Sequence, residues 1–74
     1  MKFEVGDYLR FRFYNSKEIY KIHSYNILDH RYNLIIIKSP TLNLIHLALY
    51  HYSEEDLSRN YIKLNKKIAK LLYE

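Results

Sequence analysis

The 74-residue sequence contains no cysteine and no tryptophan, and it has only one glycine and one proline. Without cysteine, neither a disulfide nor a thiolate metal site can stabilise the chain, which suits a reducing compartment. The single glycine, Gly6, excludes a glycine-rich phosphate-binding loop. No apolar run approaches the roughly 20 residues that span a bilayer, and charged residues interrupt the first positions. We therefore expect a cytoplasmic protein without a membrane segment or a secretory leader.

The length and the charge of the chain limit the kinds of protein that it can be. The sequence is long enough for one domain, in which residues 1–52 would form a β-rich core and residues 53–74 a helical segment. A chain this short buries only about 60% of its unfolded surface, so we expect modest stability and association as a homodimer. Twelve basic and eight acidic residues give a net charge of +4, an excess too small to identify the partner.

Two segments alternate apolar and polar residues with the period of two that is typical of strands, and a third is a short apolar run typical of a buried strand. The first is Phe3–Tyr14, whose odd positions are apolar with one exception. The second, Glu18–Leu28, changes phase near residues 23–24, as expected of a β-bulge. The third, Tyr32–Lys38, is rich in isoleucine and ends before the proline, which cannot donate to a strand ladder.

The uncharged segment Thr41–Tyr52 fits either a fourth strand or a helix. Ser39 as N-cap and Pro40 as first helical residue would be a good helix start. We expect the strand, because it completes an antiparallel sheet. The segment also has more apolar surface than a small core needs. The candidate contacts with an apolar cleft of a protein partner are Leu42, Leu44 and Ile45.

The stretch Ser53–Glu74 also supports two interpretations. Its apolar residues recur at steps of three and four and predict one amphipathic helix, about 30 Å long at 1.5 Å per residue. The alternative has a turn at Glu54–Leu57, a closing strand at Tyr61–Leu64 and a short final helix, with asparagines at the breaks. The periodicity favours the single helix.

No catalytic or metal-binding pattern is recognisable in the sequence. The serines lie outside any nucleophile motif, and the four histidines do not have the spacing of metal ligands on a predicted helix. We therefore expect a protein that is not an enzyme and that has no catalytic residue, no metal and no cofactor.

A compact acidic cluster opens the predicted C-terminal helix. It consists of Glu54, Glu55 and Asp56. Carboxylates at a helix N-terminus complement the helix dipole, which is sufficient reason for their presence. The same carboxylates are suited to contact a basic surface on a protein partner.

The first strand carries an alternative binding face. It consists of Tyr8, Arg10, Arg12 and Tyr14. Arginine binds phosphates and tyrosine stacks on unpaired bases, so this face would suit a small nucleic-acid-binding barrel. The competing interpretation is a solvated strand face on which arginine stems lie over aromatic rings.

Two short motifs resemble SH3-like small barrels. Residues Phe3–Leu9 contain the apolar-x-Val-Gly-Asp run that opens the first long strand of such folds, and residues 53–57 with Tyr61–Leu64 resemble their short turn and closing strand. The resemblance favours the broken form of the last stretch. Together with the patterns, it predicts an α+β fold: a small antiparallel SH3-like sheet or barrel of about four strands with a C-terminal amphipathic helix.

The size, composition and layout of the chain also resemble small host-takeover proteins of lytic phages of Gram-positive bacteria, in particular inhibitors of the DNA polymerase sliding clamp. That resemblance implies a protein without enzymatic activity that acts in the host cytoplasm. It would bind the clamp as a dimer, occupy the DNA channel and stop replication. Peptides that dock into the apolar cleft of such clamps share the Leu-x-Leu spacing of Leu42 and Leu44.

Overall fold

The computed structural model describes residues 2–39 and 49–74, which form a five-stranded antiparallel sheet and two helices. The elements are β1 Tyr8–Phe11, β2 Ile19–Asn26, β3 Arg31–Lys38, β4 Leu49–Ser53, α1 Glu54–Asn60, β5 Tyr61–Lys63 and α2 Lys66–Tyr73. The strands follow the order β4-β3-β2-β1-β5, and the sheet curls into a half-barrel. The predicted α+β class is confirmed, with five strands instead of about four. Neither helix in the described ranges has the length and apolar character needed to cross a membrane.

Two turns make β1 much shorter than the predicted strand Phe3–Tyr14. In the turn Glu4–Asp7, the last N–H donates to the first carbonyl at 3.1 Å, and Gly6 has φ +97°, as a type II turn requires at its third residue. In the turn Phe13–Ser16, the corresponding distance is 3.3 Å, and the two central residues have φ of 60° and 51°. These are the dihedral signs of a type I′ turn, which reverses the chain into β2.

The predicted bulge in the second strand is confirmed. The pairing of β2 with β3 shifts register between Ile22 and Ser24, and again between Ile19 and Tyr20. The hairpin closes through the turn at residues 27–30, after Asn26 pairs with Arg31. Two extra residues in the ladder strengthen the local twist, which suits the curl of the sheet.

Buried side chains cover both faces of the sheet. The larger cluster lies between one face of the sheet, the N-terminal segment and α1, and it consists of Phe3, Leu9, Tyr20, Ile22, Tyr32, Leu34, Ile36, Leu57 and Tyr61. The smaller cluster lies under α2 and consists of Tyr8, Ile19, Ile37 and Ala69. The prediction that Tyr8 lies on a wet face is therefore wrong: α2 covers this face and leaves the side chain 2% exposed.

The single helix predicted over Ser53–Glu74 is wrong, and the alternative with a closing strand is confirmed. Tyr61 pairs with Phe11 where β5 joins the edge of β1. The Asn65 side chain then accepts a hydrogen bond from the backbone N–H of Ile68 at 3.1 Å and caps α2. An N-cap of this kind begins a new helix, so the chain has two short helices in place of one.

Only the end of the predicted fourth strand falls within the described residues, where β4 begins at Leu49. The remainder of Thr41–Tyr52 lies outside them. The predictions for Leu42, Leu44 and Ile45 lie there as well.

Candidate protein-binding surface

Carboxylates concentrate at one end of the sheet, which we call the tip end. There Arg31 at the start of β3 pairs with Ser53 at the end of β4, directly before α1, so the β2–β3 turn and the start of α1 are neighbours. Glu4 lies at the same end, because it lines a cleft with Tyr25 and Tyr32. Five of the eight acidic residues therefore lie at the tip end: Glu4, Asp29, Glu54, Glu55 and Asp56.

The acidic cluster is held in place by the cap of α1. Ser53 Oγ accepts a hydrogen bond from the backbone N–H of Asp56 at 3.2 Å. Glu54 Oε1 accepts one from the backbone N–H of Lys2 at 3.1 Å. Glu55 forms an ion pair with Arg59 at 2.5 Å on the exposed side of the helix. The structure thus places the three predicted residues together, with the side chains of the two glutamates exposed and that of Asp56 half-buried.

Two large apolar side chains project from the tip end beside the acidic residues. Ile27 is 73% exposed and Leu28 is 89% exposed. Local hydrogen bonds fix their turn: Asn26 Oδ1 accepts from the N–H of Leu28 at 2.9 Å, and Asp29 Oδ1 accepts from the next residue but one at 3.1 Å. The turn also contains His30, whose φ is +58° and whose Nδ1 lies 3.0 Å from a tyrosine hydroxyl. The tip is therefore an apolar projection on a defined backbone.

The sequence patterns did not identify this apolar tip. Ile27 shares its phase with the second predicted strand, and Leu28 falls in a turn candidate, so neither stood out as a contact residue. The signal that was present is two consecutive large apolar residues between Asn26 and Asp29, the residue types that close turns with their own side chains. Apolar residues confined to such a turn have no sheet face to cover.

The alternative basic and aromatic face does not come together as predicted. Tyr8 is buried beneath α2. The Arg12 guanidinium donates to two backbone carbonyls near the end of α1, both at 3.3 Å. Arg10 is half-buried, and Tyr14 is 93% exposed. The burial of Tyr8 thus removes one member of the expected face, whereas Arg12 and Tyr14 remain exposed.

Three tyrosines of the larger cluster, Tyr20, Tyr32 and Tyr61, are buried in the core. Burial raises the pKa of Tyr20, and a hydrogen bond to Glu18 at 3.0 Å raises it further. Burial likewise raises the pKa of Tyr61, and a hydrogen bond to Tyr52 raises it further. Burial also raises the pKa of Tyr32, whose hydroxyl donates to a backbone carbonyl at 3.3 Å. All three phenols remain neutral at physiological pH and serve as hydrogen-bonded core groups.

Within residues 2–39 and 49–74, no three side chains of the kinds that bind metals are grouped closely enough to hold an ion. Comparison of the chain with protein-family models, with curated proteins and with solved structures gives no match. The tip end is accordingly the candidate surface on the strength of its own geometry: an exposed apolar pair beside a fixed acidic cluster.

Proposed function

We propose that this chain is a phage-encoded protein without enzymatic activity that binds the sliding clamp of a bacterial host and blocks DNA replication sterically. The observation that carries the proposal is the tip end, where the apolar pair Ile27 and Leu28 lies beside exposed carboxylates. A sliding clamp offers a complementary combination, because it has a basic channel that passes DNA and an apolar cleft that accepts peptides. The host cytoplasm would be the site of action.

The two parts of the surface have different roles in this proposal. Glu54 and Glu55 would face the basic channel, where charge complementarity orients the protein and speeds the encounter. Leu28, at 89% exposed, would supply the apolar anchor, since buried apolar groups at the centre of an interface carry most of the affinity. Leu42, Leu44 and Ile45 remain proposed contacts with the apolar cleft.

The same proposal includes an SH3-like architecture of the sheet and a homodimeric state of the protein. The half-barrel with its closing strand β5 and the type II turn at Glu4–Asp7 support an SH3-like architecture. The exposed apolar side of α2 supports a homodimer, because Ile68, Leu71 and Leu72 are 57%, 85% and 67% exposed. Pairing two copies of this stripe would bury apolar surface that a small core leaves uncovered.

The charge part of the proposal is tested by binding to a purified clamp from a Gram-positive host, measured by isothermal titration calorimetry. Glu54→Gln combined with Glu55→Gln should weaken binding at least tenfold at low salt. The matched control, Glu18→Gln combined with Glu74→Gln, removes the same charge away from the tip end and should stay within twofold. Equal weakening by both pairs, or no binding by the unchanged protein, would reject the proposal.

The apolar part is tested by two single changes of almost fully exposed turn residues. Leu28→Ser should abolish most of the binding to the clamp, whereas Tyr14→Ser, at the opposite end of the sheet, should leave it unchanged. Both side chains are exposed by about nine-tenths or more, so the fold should tolerate either change. Full affinity of the Leu28 variant would show that the tip does not contact the clamp.

The proposed dimer is tested by light scattering at tens of micromolar protein. Leu71→Ser combined with Leu72→Ser should convert a dimer into a monomer without loss of the circular dichroism signal. If the unchanged protein were a monomer at this concentration, the dimer would be refuted. The measurements of clamp binding would remain an independent test.

A further inference from the structure

A cavity of about 440 Å³ opens at the end of the sheet opposite the tip end. It lies where the end of β1, residues 15–17, the end of β3 and the end of α2 meet. Its polar and aromatic lining includes Arg10, Asn15, Ser16, Lys17, Lys38 and Tyr73. We call this the cationic cavity, because the charged side chains that line it in residues 2–39 and 49–74 are Arg10, Lys17 and Lys38.

The register of the sheet brings the cations of the cavity together. Arg10 pairs with Ile19, and Ile19 in turn pairs with Lys38. Residues directly opposite one another in antiparallel strands project from the same face of a sheet, so the two cations flank one apolar residue. Lys38 Nζ also lies 5.2 Å from the centroid of the Tyr73 ring, which fixes its position against α2.

The cations of this cavity have no acidic partners among the described residues. The ion pairs of residues 2–39 and 49–74 involve Lys21, Arg59 and Lys63, and none involves Arg10, Lys17 or Lys38. The carboxylate of Glu74 is engaged by Lys21, at 2.8 and 3.1 Å. The Glu18 carboxylate lies beside the cavity, where it accepts hydrogen bonds from the hydroxyls of Tyr20 and Ser39 at 3.0 and 3.3 Å. One carboxylate leaves the three converging cations with a net positive charge, and a bound anion would relieve their repulsion.

We propose that the cationic cavity binds the phosphate monoester group of a small organic ligand of nucleotide size. Arginine binds phosphate through two parallel hydrogen bonds, and lysine adds point charges. Ser16 Oγ already accepts the backbone N–H of Glu18 at 3.3 Å, so its hydroxyl hydrogen is available to donate to a phosphate oxygen. The amide of Asn15 offers a further donor.

The size and the walls of the cavity indicate an organic phosphate in preference to the inorganic ion. The volume falls in the range of about 300–1,000 Å³ that is usual for sites of small organic ligands. The half-buried Tyr73 ring forms an apolar side against which a base or another flat group can pack. This site lies away from the proposed clamp-binding surface and does not depend on it.

The test uses the full-length protein and three probes: adenosine 5′-monophosphate, adenosine, and a short oligothymidylate without a terminal phosphate. Nuclear magnetic resonance titration at low salt should show saturable shifts of the amides of Arg10, Ser16 and Lys38 with the monophosphate. Inorganic phosphate should compete, and adenosine should have no effect. Binding of the oligonucleotide but not of the monophosphate would overturn the proposal, because backbone phosphodiesters would then be the ligand.

Variants separate the cavity from general attraction between charges. Arg10→Gln combined with Lys38→Gln should weaken monophosphate binding at least tenfold, whereas Lys67→Gln combined with Lys70→Gln, with the same change of charge, should stay within twofold. Lys17→Gln is a second test, because Lys17 lies in a loop and its change does not disturb the sheet. This variant should weaken monophosphate binding about threefold. Equal losses in both double variants, or no loss in the first, would refute the site.

Discussion

Raising the pH above about 10 should destabilise this protein and finally unfold it, because three tyrosines keep their protons in the folded state only. Tyr20, Tyr32 and Tyr61 are 7%, 1% and 5% exposed. Burial raises the pKa of each phenol above its ordinary value of 10, and hydrogen bonds to Glu18 and Tyr52 raise the pKa of Tyr20 and Tyr61 further. The unfolded chain has no such protection, so its phenols lose their protons first.

The sign and the size of this effect follow from proton linkage. Below pH 10 both states hold the three protons and the stabilisation is fully present; above it the unfolded state binds fewer protons, so the free energy of unfolding falls. Each proton contributes about 1.4 kcal/mol per pH unit for as long as its phenol stays protonated in the folded state, so three contribute at most about 4 kcal/mol per pH unit. A chain of this length has a total stability of about 4–11 kcal/mol. Unfolding should therefore occur at about pH 11 or above.

The measurement combines circular dichroism with the ultraviolet absorbance of phenolate during an alkaline titration. Tyr61→Phe removes one ionisable group and keeps the ring, so the slope of stability against pH should fall by about a third. Tyr14→Phe, at a residue 93% exposed, is the control and should not change the slope. If all the tyrosines ionised near their ordinary pKa while the fold persisted, the burial argument would be refuted.

Three further predictions concern stability in urea. Leu57→Ala should lower the free energy of unfolding by about 3 kcal/mol, because Leu57 is fully buried and is the core residue of α1; a loss below about 1 kcal/mol would contradict this. Tyr14→Asn should raise it by about 0.5–1 kcal/mol, since asparagine tolerates the φ of 60° with less strain; a decrease would argue against strain in this turn. Asp7→Ala should lower it by about 2–3 kcal/mol, because Asp7 accepts from the N–H of Glu4 at 2.8 Å and lies 3.3 Å from Lys63 Nζ. Asp7→Asn, which can still accept the hydrogen bond, should lose less, and equal losses would point to the charge alone.

Local patterns predicted the β2–β3 hairpin well because its causes are local. Alternation sets which side chains face the core, and the change of phase near residues 23–24 marks the bulge between Ile22 and Ser24. The same reasoning made the first strand too long, because the turn at Gly6 and the type I′ turn limit its pairing while the apolar alternation extends into both turns. Phe13, an apolar residue in that alternation, is 43% exposed.

The last stretch misled the helix prediction because two core clusters together imitate one helical stripe. Leu57 and Tyr61 belong to the larger cluster, Leu64 packs against the smaller one, and Leu71 is 85% exposed. Steps of three and four therefore arise from successive elements that face different cores. Pairing of β5 with β1 joins residues about fifty positions apart, and no window of sequence contains that contact.

The difference between local and long-range contacts also explains why only part of the candidate surface could be predicted. Glu54, Glu55 and Asp56 are consecutive, so the sequence alone places them together. Their proximity to Leu28 depends on the pairing of Arg31 with Ser53, which is a long-range feature of the sheet. The burial of Tyr8 likewise depends on where α2 packs, which periodicity in β1 does not specify.

Separation of charge explains how a chain of net charge +4 can approach a basic surface. Orientation during an encounter follows the distribution of charge as well as its sum. Five carboxylates lie at the tip end together with the cations Lys2 and Arg31, whereas the cationic cavity lies at the opposite end, so a basic partner attracts the tip end more than the cavity end. The pairing of Arg31 with Ser53 holds the turn that carries the apolar tip next to the start of α1, which carries the acidic cluster. A surface ordered before binding loses little conformational entropy in the complex, so steering and apolar contact would act through one rigid edge of the protein.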